Sequence, residues 1–180
     1  MPIIRLAGAS LALALASVPL LVGAQAPAPR PADVASPEAI VAATYASIAR
    51  EPGGPYDWDR FLSLFLEGAH LIPNVEQTGG QFVIWSPEDF KNLASANTNV
   101  GGPNDRGFAE SGVKNIVERY GDVAHVFSTY EKHWGDGDTT VIGRGINSFQ
   151  MRFHDGRWWI TGIIWDEPSG AGPIPERYLP

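Results

Sequence analysis

Four consecutive strand-like segments between residues 108 and 165 constrain the fold of this chain more than any other feature. They read FAESGVKNIVERYG, DVAHVFSTYEKHW, TVIGRGINSFQMRF and RWWITGIIW, and they are rich in β-branched and aromatic residues. The turns between them lie at residues 120–122, 135–139 and 154–156, and the first and last contain Gly beside Asp. Because tight turns join antiparallel neighbours, the stretch predicts a four-stranded antiparallel sheet.

The chain before this sheet predicts three helices. Ser36-Pro37-Glu38 is typical of a helix start, because it offers a hydroxyl cap, a proline at the first helical position and an acid in the first turn. Asp57 and Ser86-Pro87 begin two further helices in the same way. We expect the first helix to end near residue 50 and the second at 67.

Two short strands are predicted between the second and third helices, at 69–76 and 81–85. Pro73 places the first of them at a sheet edge or a bulge, because proline cannot donate to a ladder. The predicted fold class is therefore α+β. It comprises an antiparallel sheet of four long strands plus the short strand pair, covered by the three N-terminal helices.

The N-terminus predicts export. Arg5 precedes an apolar run at 6–21, and Val22-Gly23-Ala24 then supplies the small residues that a signal peptidase requires. We therefore expect a signal peptide at 1–24, a periplasmic or secreted protein, and no membrane association after cleavage.

The rest of the chain, which has 180 residues in all, predicts one domain with a flexible segment at each end. The Pro/Ala-rich segment 25–35 predicts a disordered leader, 36–167 the folded domain, and 168–180 a Pro/Gly-rich tail. We expect the tail to lie against the surface of the domain.

Composition excludes several classes of function. A net charge of −7 without a basic run argues against nucleic acid as a partner. The chain has no cysteine, so it has no disulfide, thiolate metal site or cysteine nucleophile. No two histidines have helical ligand spacing and no Gly-rich phosphate loop is present, so we expect neither a metal site nor a cofactor.

The turns also predict which side chains share a face of the sheet. The Asp155-Gly156 turn sets Phe153 opposite Trp158 and extends the same face to Phe149, Asn147 and Asp166. The Gly121-Asp122 turn sets Glu118 opposite His125. With an even register across the 135–139 loop, His125 and Phe127 would lie on the apolar face beneath the helices.

Polar groups beneath helices are the chemical candidates, because buried acids and imidazoles are where pKa values shift for acid–base work. We therefore predict His125, Asp166 and Glu118 as catalytic candidates, with His125 paired to Glu118 and Asp166 near Asn147. The same pairs are also typical of ordinary structural hydrogen bonds, so both interpretations stay open. The predicted ligand-binding residues are Trp58, Phe61, Phe127, Asn147, Phe149 and Trp158.

Several short segments resemble the nuclear transport factor 2-like, or SnoaL-like, family. They are DWDRF at 57–61, LF at 64–65, LIP at 71–73, ERYG at 118–121, AHVFSTYE at 124–131, RGINS at 144–148 and RWWI at 157–160. The resemblance covers 36–167, is closest to an exported branch of the family and implies a cone-shaped, curved sheet. Enzymes of this family use an Asp, His or Tyr inside the cone, whereas many other members only bind ligands or dimerise.

Three functions follow as hypotheses. The leading one is an exported domain that binds a small apolar molecule between the helices and the concave sheet. The second is a cofactor-independent acid–base enzyme of the isomerase, cyclase or dehydratase type, and the third is a structural dimerisation module. A homodimer is expected through the other sheet face, where the predicted partner surface contains Trp159, Ile163, Trp165 and Ile146.

Overall fold

The computed structural model of the protein describes residues 27–96 and 106–180. The predicted signal peptide at 1–24, the end of the third predicted helix beyond residue 96 and the loop at 101–105 lie outside the described residues. The helices are α1 (Pro37–Ile48), α2 (Trp58–Ser63), α3 (Pro87–Ala96) and α4 (Pro168–Ala171). The strands are β1 (Phe65–Ile72), β2 (Ala109–Tyr120), β3 (Val123–His133), β4 (Gly143–His154) and β5 (Arg157–Asp166).

The strands form one curved sheet in the order β1-β5-β4-β3-β2, and helices cover its concave face. The four predicted antiparallel strands are confirmed as β2 to β5, which makes the protein α+β. α1 packs across this meander, and its Tyr45 meets Phe149 edge to face at 6.0 Å between ring centroids. β1 joins the edge of the sheet in parallel with β5.

Of the predicted short strand pair, the first strand is present as β1, and the second is reduced to a single bridge. The first strand begins at Phe65, earlier than expected, because α2 ends at Ser63 and the apolar residues after it alternate as an edge strand. The segment 81–85 makes only one bridge, between Trp85 and Leu71, because Gly79 and Gly80 turn the chain and Phe82 and Ile84 point into solvent.

The two tight hairpins have the predicted register near their turns. Glu118 pairs with His125 across the first turn, and Phe153 pairs with Trp158 across the second. Asp155 and Gly156 have φ of 50° and 76°, the left-handed conformation that a two-residue hairpin turn requires.

The β3–β4 pairing differs by one residue from the even register that we assumed. Val126 pairs with Phe149 and Ser128 with Asn147, so the even-numbered side chains of β3 face the helices. His125 and Phe127 therefore lie on the convex face, and their predicted place beneath the helices is wrong. The loop between these strands is long and held by ion pairs of Arg106 to Asp136 and Asp138, so the rule for two-residue turns does not fix its register.

A bulge in β5 causes the second difference. Met151 pairs with Ile160 as predicted, but the next partner of β4 is Gly162, which leaves Thr161 as an extra residue. Beyond the bulge Asn147 pairs with Trp165, instead of Ile164, and Ile146 pairs with Asp166. The predicted place of Asp166 on the concave face is wrong for this reason.

The same bulge alters the predicted dimer surface, because it turns Ile163 and Trp165 towards the concave face. Trp159 and Ile146 stay on the convex face. The C-terminal tail covers part of that face, as predicted: the Tyr178 ring lies 4.9 Å from that of Phe127. The Tyr178 carbonyl also accepts a 2.6 Å hydrogen bond from the Thr129 hydroxyl. The homodimer itself stays a prediction.

The predicted leader is ordered over its last part. Pro31–Val34 forms a 3-10 turn, and Asp33 and Val34 are buried. Both carboxylate oxygens of Asp33 accept hydrogen bonds from the Arg60 guanidinium, at 2.7 and 2.8 Å. The boundary predicted at Ala35 is therefore too late, because a bidentate ion pair and an apolar anchor fix this turn to α2 and the core.

We predict that Asp33→Asn lowers the free energy of unfolding by about 2 kcal/mol near neutral pH, because it leaves a half-buried guanidinium without its counter-charge. The Arg60 hydrogen bonds hold the pKa of Asp33 below its usual value. The stabilisation is therefore present above the pKa of the unfolded chain and is lost as the pH falls through the folded pKa. Urea unfolding at neutral and acidic pH measures it.

Asp59→Asn is the matched control, because Asp59 is an exposed acid on α2, the helix that carries Arg60. We expect it to change stability by less than about 1 kcal/mol. Equal stability of Asp33→Asn and wild type at neutral pH would contradict the anchoring role of this ion pair.

Candidate ligand-binding cavity

A cavity of about 680 Å³ lies between the helices and the concave face of the sheet. Its outer part is an aromatic wall, which comprises Tyr56, Trp58, Phe61, Trp85, Phe90 and Trp165. These rings contact one another: Phe61 stacks on Phe90 at 5.4 Å between centroids, and Trp85 lies 6.2 Å from Trp165. The wall offers a large, rigid apolar surface.

Local sequence places these rings. Asp57 caps α2 by accepting from the Arg60 amide at 3.3 Å, and Trp58 and Phe61 then share one helical face. α3 begins with a reciprocal cap, in which Ser86 Oγ accepts from the Asp89 amide at 3.1 Å and the Asp89 carboxylate accepts from the Ser86 amide at 2.9 Å. This cap orients Phe90, one residue later, into the cavity.

A polar cluster lies on the sheet side of the cavity, beside α1. The Tyr45 hydroxyl shares a 2.7 Å hydrogen bond with Ser128 Oγ and accepts one of 3.2 Å from Asn147 Nδ2. The same Asn147 amide donates to Glu110 Oε1 at 3.3 Å. Tyr45, Ser128 and Asn147 are buried, whereas Glu110 is half-buried and lines the cavity.

A second acid, Glu167, lies nearby with a full set of partners. Its Oε1 accepts from the Tyr130 hydroxyl at 3.0 Å and from Gln77 Nε2 at 2.8 Å, and it forms an ion pair with the Lys132 ammonium. Gly145 makes room for this arrangement, because a Cβ there would overlap the Tyr130 phenol. Glu167 is therefore a satisfied, structural acid.

Gln77 closes one side of the cavity. Besides the bond from its Nε2 to Glu167, its Oε1 accepts from Trp165 Nε1 at 2.9 Å, and its backbone N–H donates to Asn74 Oδ1 at 3.0 Å. The segment after β1 is thus fixed across the mouth of the cavity by side-chain hydrogen bonds to the end of β5.

Glu110 differs electrostatically from Glu167. Burial raises the pKa of Glu110 to about 7, although the Lys132 charge opposes the shift. Burial also raises the pKa values of Tyr45 and Tyr130, so both phenols stay protonated at neutral pH. The cavity therefore combines an acid that titrates near neutrality with neutral hydroxyl and amide groups.

The arrangement of helices and sheet can be compared with known structures. No protein-family model matches the sequence, and no curated protein matches it. Similar solved structures include a protein of unknown function with a cystatin-like fold from Nostoc punctiforme PCC 73102. Its TM-score is 0.53 at 20% identity, over 71% of this chain and 86% of that one. The chain has the cystatin-like fold.

Two further similar structures come from proteins described in other terms. One is an NTF2-like protein of unknown function from Silicibacter pomeroyi DSS-3, with a TM-score of 0.47, 18% identity and coverage of 69% of this chain and 87% of that one. The other is a hexachlorocyclohexane dehydrochlorinase from Novosphingobium barchaimii LL02, with a TM-score of 0.46, 13% identity and coverage of 66% and 81%. The predicted resemblance is thus one of fold, and the cystatin-like structure from Nostoc punctiforme shows this fold.

Within this cystatin-like fold, some of the predicted site residues line the cavity and others do not. Trp58, Phe61, Asn147 and Phe149 line the cavity as predicted. Trp158 is buried beyond it, packed on Phe153 and beneath the Arg119 guanidinium.

The other four predicted residues lie away from the cavity. His125 bonds Ser148 Oγ at 3.0 Å and lies 3.7 Å from the Glu118 carboxylate, so this pair exists, but on the convex face. Phe127 packs on Tyr178, and the exposed Asp166 accepts from the Glu167 amide at 2.8 Å. A catalytic role inside the cone does not fit these positions.

Sequence reasoning gave no role in the site to Glu110, Tyr130, Lys132, Glu167 or Tyr45. A phenol within an otherwise apolar helical stripe was the available signal for Tyr45. Glu110 gave no such signal, because a bulge at Val113 changes the face of β2 between the tight turn and this residue.

Metal and membrane features are absent from the described part of the chain. Residues 27–96 and 106–180 contain no cluster of three or more His, Cys, Asp or Glu side chains that could hold a metal ion. Within the same ranges, every helix is too short or too polar to span a bilayer.

We predict that wild-type stability falls as the pH rises from about 4.5 to about 7 and that Glu110→Gln removes this part of the pH dependence. The folded pKa of Glu110 is about 7, above the ordinary glutamate value of 4.5, so the folded state holds its proton more tightly. Stability from this group is therefore complete below the unfolded pKa and lost through this window, by about 3 kcal/mol. Urea unfolding at several pH values measures the effect.

Glu118→Gln is the matched control, because it removes an exposed acid from the convex side of the same strand. It should retain the wild-type pH profile. Identical profiles for wild type and Glu110→Gln would show that the Glu110 carboxyl is not desolvated.

Proposed function

We propose that the protein binds a small, largely apolar molecule that carries one polar group. One observation supports this most: an aromatic wall and a few polar groups line the same cavity of about 680 Å³. Small-molecule sites are of this kind, mostly apolar with a few convergent polar groups, and have volumes of roughly 300–1,000 Å³.

The cavity favours binding over a purely structural role. A structural cone would be filled by its own side chains, whereas here Phe149 and Phe61 border open space. The wall would take the apolar body of the ligand, and the groups at Glu110 and Asn147 would orient its polar end. Gln77 would have to release Trp165 or Glu167 for a large ligand to enter.

We predict that Ala94→Trp weakens binding of a neutral apolar probe. Ala94 is buried on α3 and lines the cavity, so an indole there would occupy the space of the ligand. N-phenyl-1-naphthylamine, which is uncharged at neutral pH, is a suitable probe because its fluorescence rises in apolar surroundings. We expect its affinity to fall about tenfold or more in the variant, a loss of about 1.4 kcal/mol.

Ala96→Trp is the control, because Ala96 is exposed at the end of the same helix. It should bind the probe as wild type does, with circular dichroism confirming the fold of both variants. Absence of probe binding by wild type, or equal binding by Ala94→Trp, would refute the proposal.

A second candidate function is cofactor-independent proton transfer, and Glu110 is the observation that favours it. A carboxyl with a pKa of about 7 is well matched to general base catalysis at neutral pH. Glu110 would accept a proton from the carbon next to a carbonyl, and the C–H electron pair would form an enolate. If the ligand carries a double bond between its β- and γ-carbons, the electron pair extends to the γ-carbon, and return of the proton there would complete an isomerisation to the conjugated ketone.

This second function predicts exchange of hydrogen for deuterium at the α-carbon of a small apolar ketone in D₂O. Proton NMR of 2-tetralone, with the buffer rate subtracted, measures it. We expect Glu110→Gln to lose the protein-dependent rate by about a hundredfold or more, the usual contribution of a general base. Glu118→Gln should retain it, and equal rates for both variants would exclude Glu110 as the base.

A further inference from the structure

We propose that the ligand of this cavity is a compact hydrophobic amine, with its ammonium group on the Glu110 carboxylate and its ring system against the aromatic wall. This inference rests on the proposed binding function and names the chemical class of the ligand.

The first argument is the charge balance of the cavity. Among the described residues that line it, the charged side chains are Glu110, Lys132 and Glu167. The Lys132 ammonium forms an ion pair with Glu167 and lies 5.5 Å from the centroid of the Tyr130 ring. Two carboxylates thus share one cation, and the cavity has a net negative charge whenever Glu110 is ionised.

The second argument is the hydrogen bonding of Glu110. Its Oε1 accepts one long bond, 3.3 Å, from Asn147, and within the described part of the chain its Oε2 accepts none. An ionised carboxylate has about four acceptor positions and no donor. An ammonium group has three donors and no acceptor, so it complements this carboxylate, whereas an anionic ligand would add to the negative charge.

The third argument is the aromatic wall. A ligand ring system stacks on such rings and buries its apolar surface against them. The wall has three tryptophans, Trp58, Trp85 and Trp165, together with Phe90 and Tyr56. The wall therefore holds the ring system of the amine while Glu110 binds its ammonium group. A neutral alcohol of the same shape gains equally from the wall but only one hydrogen bond from Glu110.

The test compares three ligands that share one ring system, namely 2-(1-naphthyl)ethylamine, 2-(1-naphthyl)ethanol and 1-naphthylacetate. Isothermal titration calorimetry at low salt and about pH 8, above the folded pKa of Glu110, measures their affinities. We expect the amine to bind about tenfold or more tightly than the alcohol, and the acetate to bind more weakly than both. Glu110→Gln should remove the advantage of the amine, so that amine and alcohol bind this variant within about threefold of each other.

Glu118→Gln, which removes an equal charge from the convex face, should preserve the advantage of the amine. A wild-type pH series gives a second readout that needs no variant. Between about pH 8 and pH 5 the amine should lose affinity as Glu110 takes up its proton, and the alcohol should not. The groups that act on Glu110 in this range are Lys132 and Glu167, whose charges have opposite effects, and the neutral Tyr45 and Asn147.

Two other sets of results would contradict the proposal, and they separate the ligand class from the binding function. Equal affinity of amine and alcohol, or an amine advantage that survives in Glu110→Gln, overturns the assignment of the ligand class and leaves the binding function intact. Failure of all three ligands, together with failure of the neutral probe, overturns both.

Discussion

The pairing of β3 with β4 is the constraint on which the cavity depends. It sets Val126 opposite Phe149 and Ser128 opposite Asn147. It thereby determines that the even-numbered side chains of β3 face α1. Val126 and Phe149 have no exposed surface, and burial of such side chains stabilises a fold by about 1.5–3 kcal/mol each. A slip by one residue would turn one of the two strands over and expose either Val126 or Phe149. If β3 turned, the hydrogen bond between Tyr45 and Ser128 would also break.

Two bulges interrupt this regular ladder and bring polar side chains of β2 and of the chain after β5 to the cavity. The bulge at Thr161 turns Trp165 towards the cavity, and the chain beyond it delivers Glu167 to Lys132. The bulge at Val113 turns Glu110 towards Lys132, its partner across the β2–β3 ladder. Without these two insertions both acids would lie on the opposite face, because side chains in a strand alternate.

The dependence of the cavity on register and bulges explains which parts of the structure could be predicted from the sequence. The strands can be predicted from β-rich segments joined by Gly and Asp turns. The first residues of the helices can be predicted from their Ser and Asp caps, so the sequence indicates an α+β fold. The pairs nearest each tight turn, such as Glu118 with His125, were also accessible. The candidate site was not, because a bulge leaves no clear mark in sequence and the loop that joins β3 to β4 is fixed by Arg106 and its two aspartates. One wrong step in register moved His125 and Phe127 to the wrong face, and one missed bulge did the same for Asp166.

The contrast between the two acids gives the strongest structural reason to assign a function to the cavity. Glu167 is neutralised by Lys132 and accepts from Tyr130 and Gln77, so its burial costs little and holds the end of β5 in place. Glu110 has one long hydrogen bond and a pKa raised to about 7, so its charge destabilises the folded state at neutral pH. An apolar residue at this position would avoid that cost. Residues that lower stability and line an open cavity are typical of binding or catalytic sites. A bound cation would supply the counter-charge that the protein does not provide for Glu110.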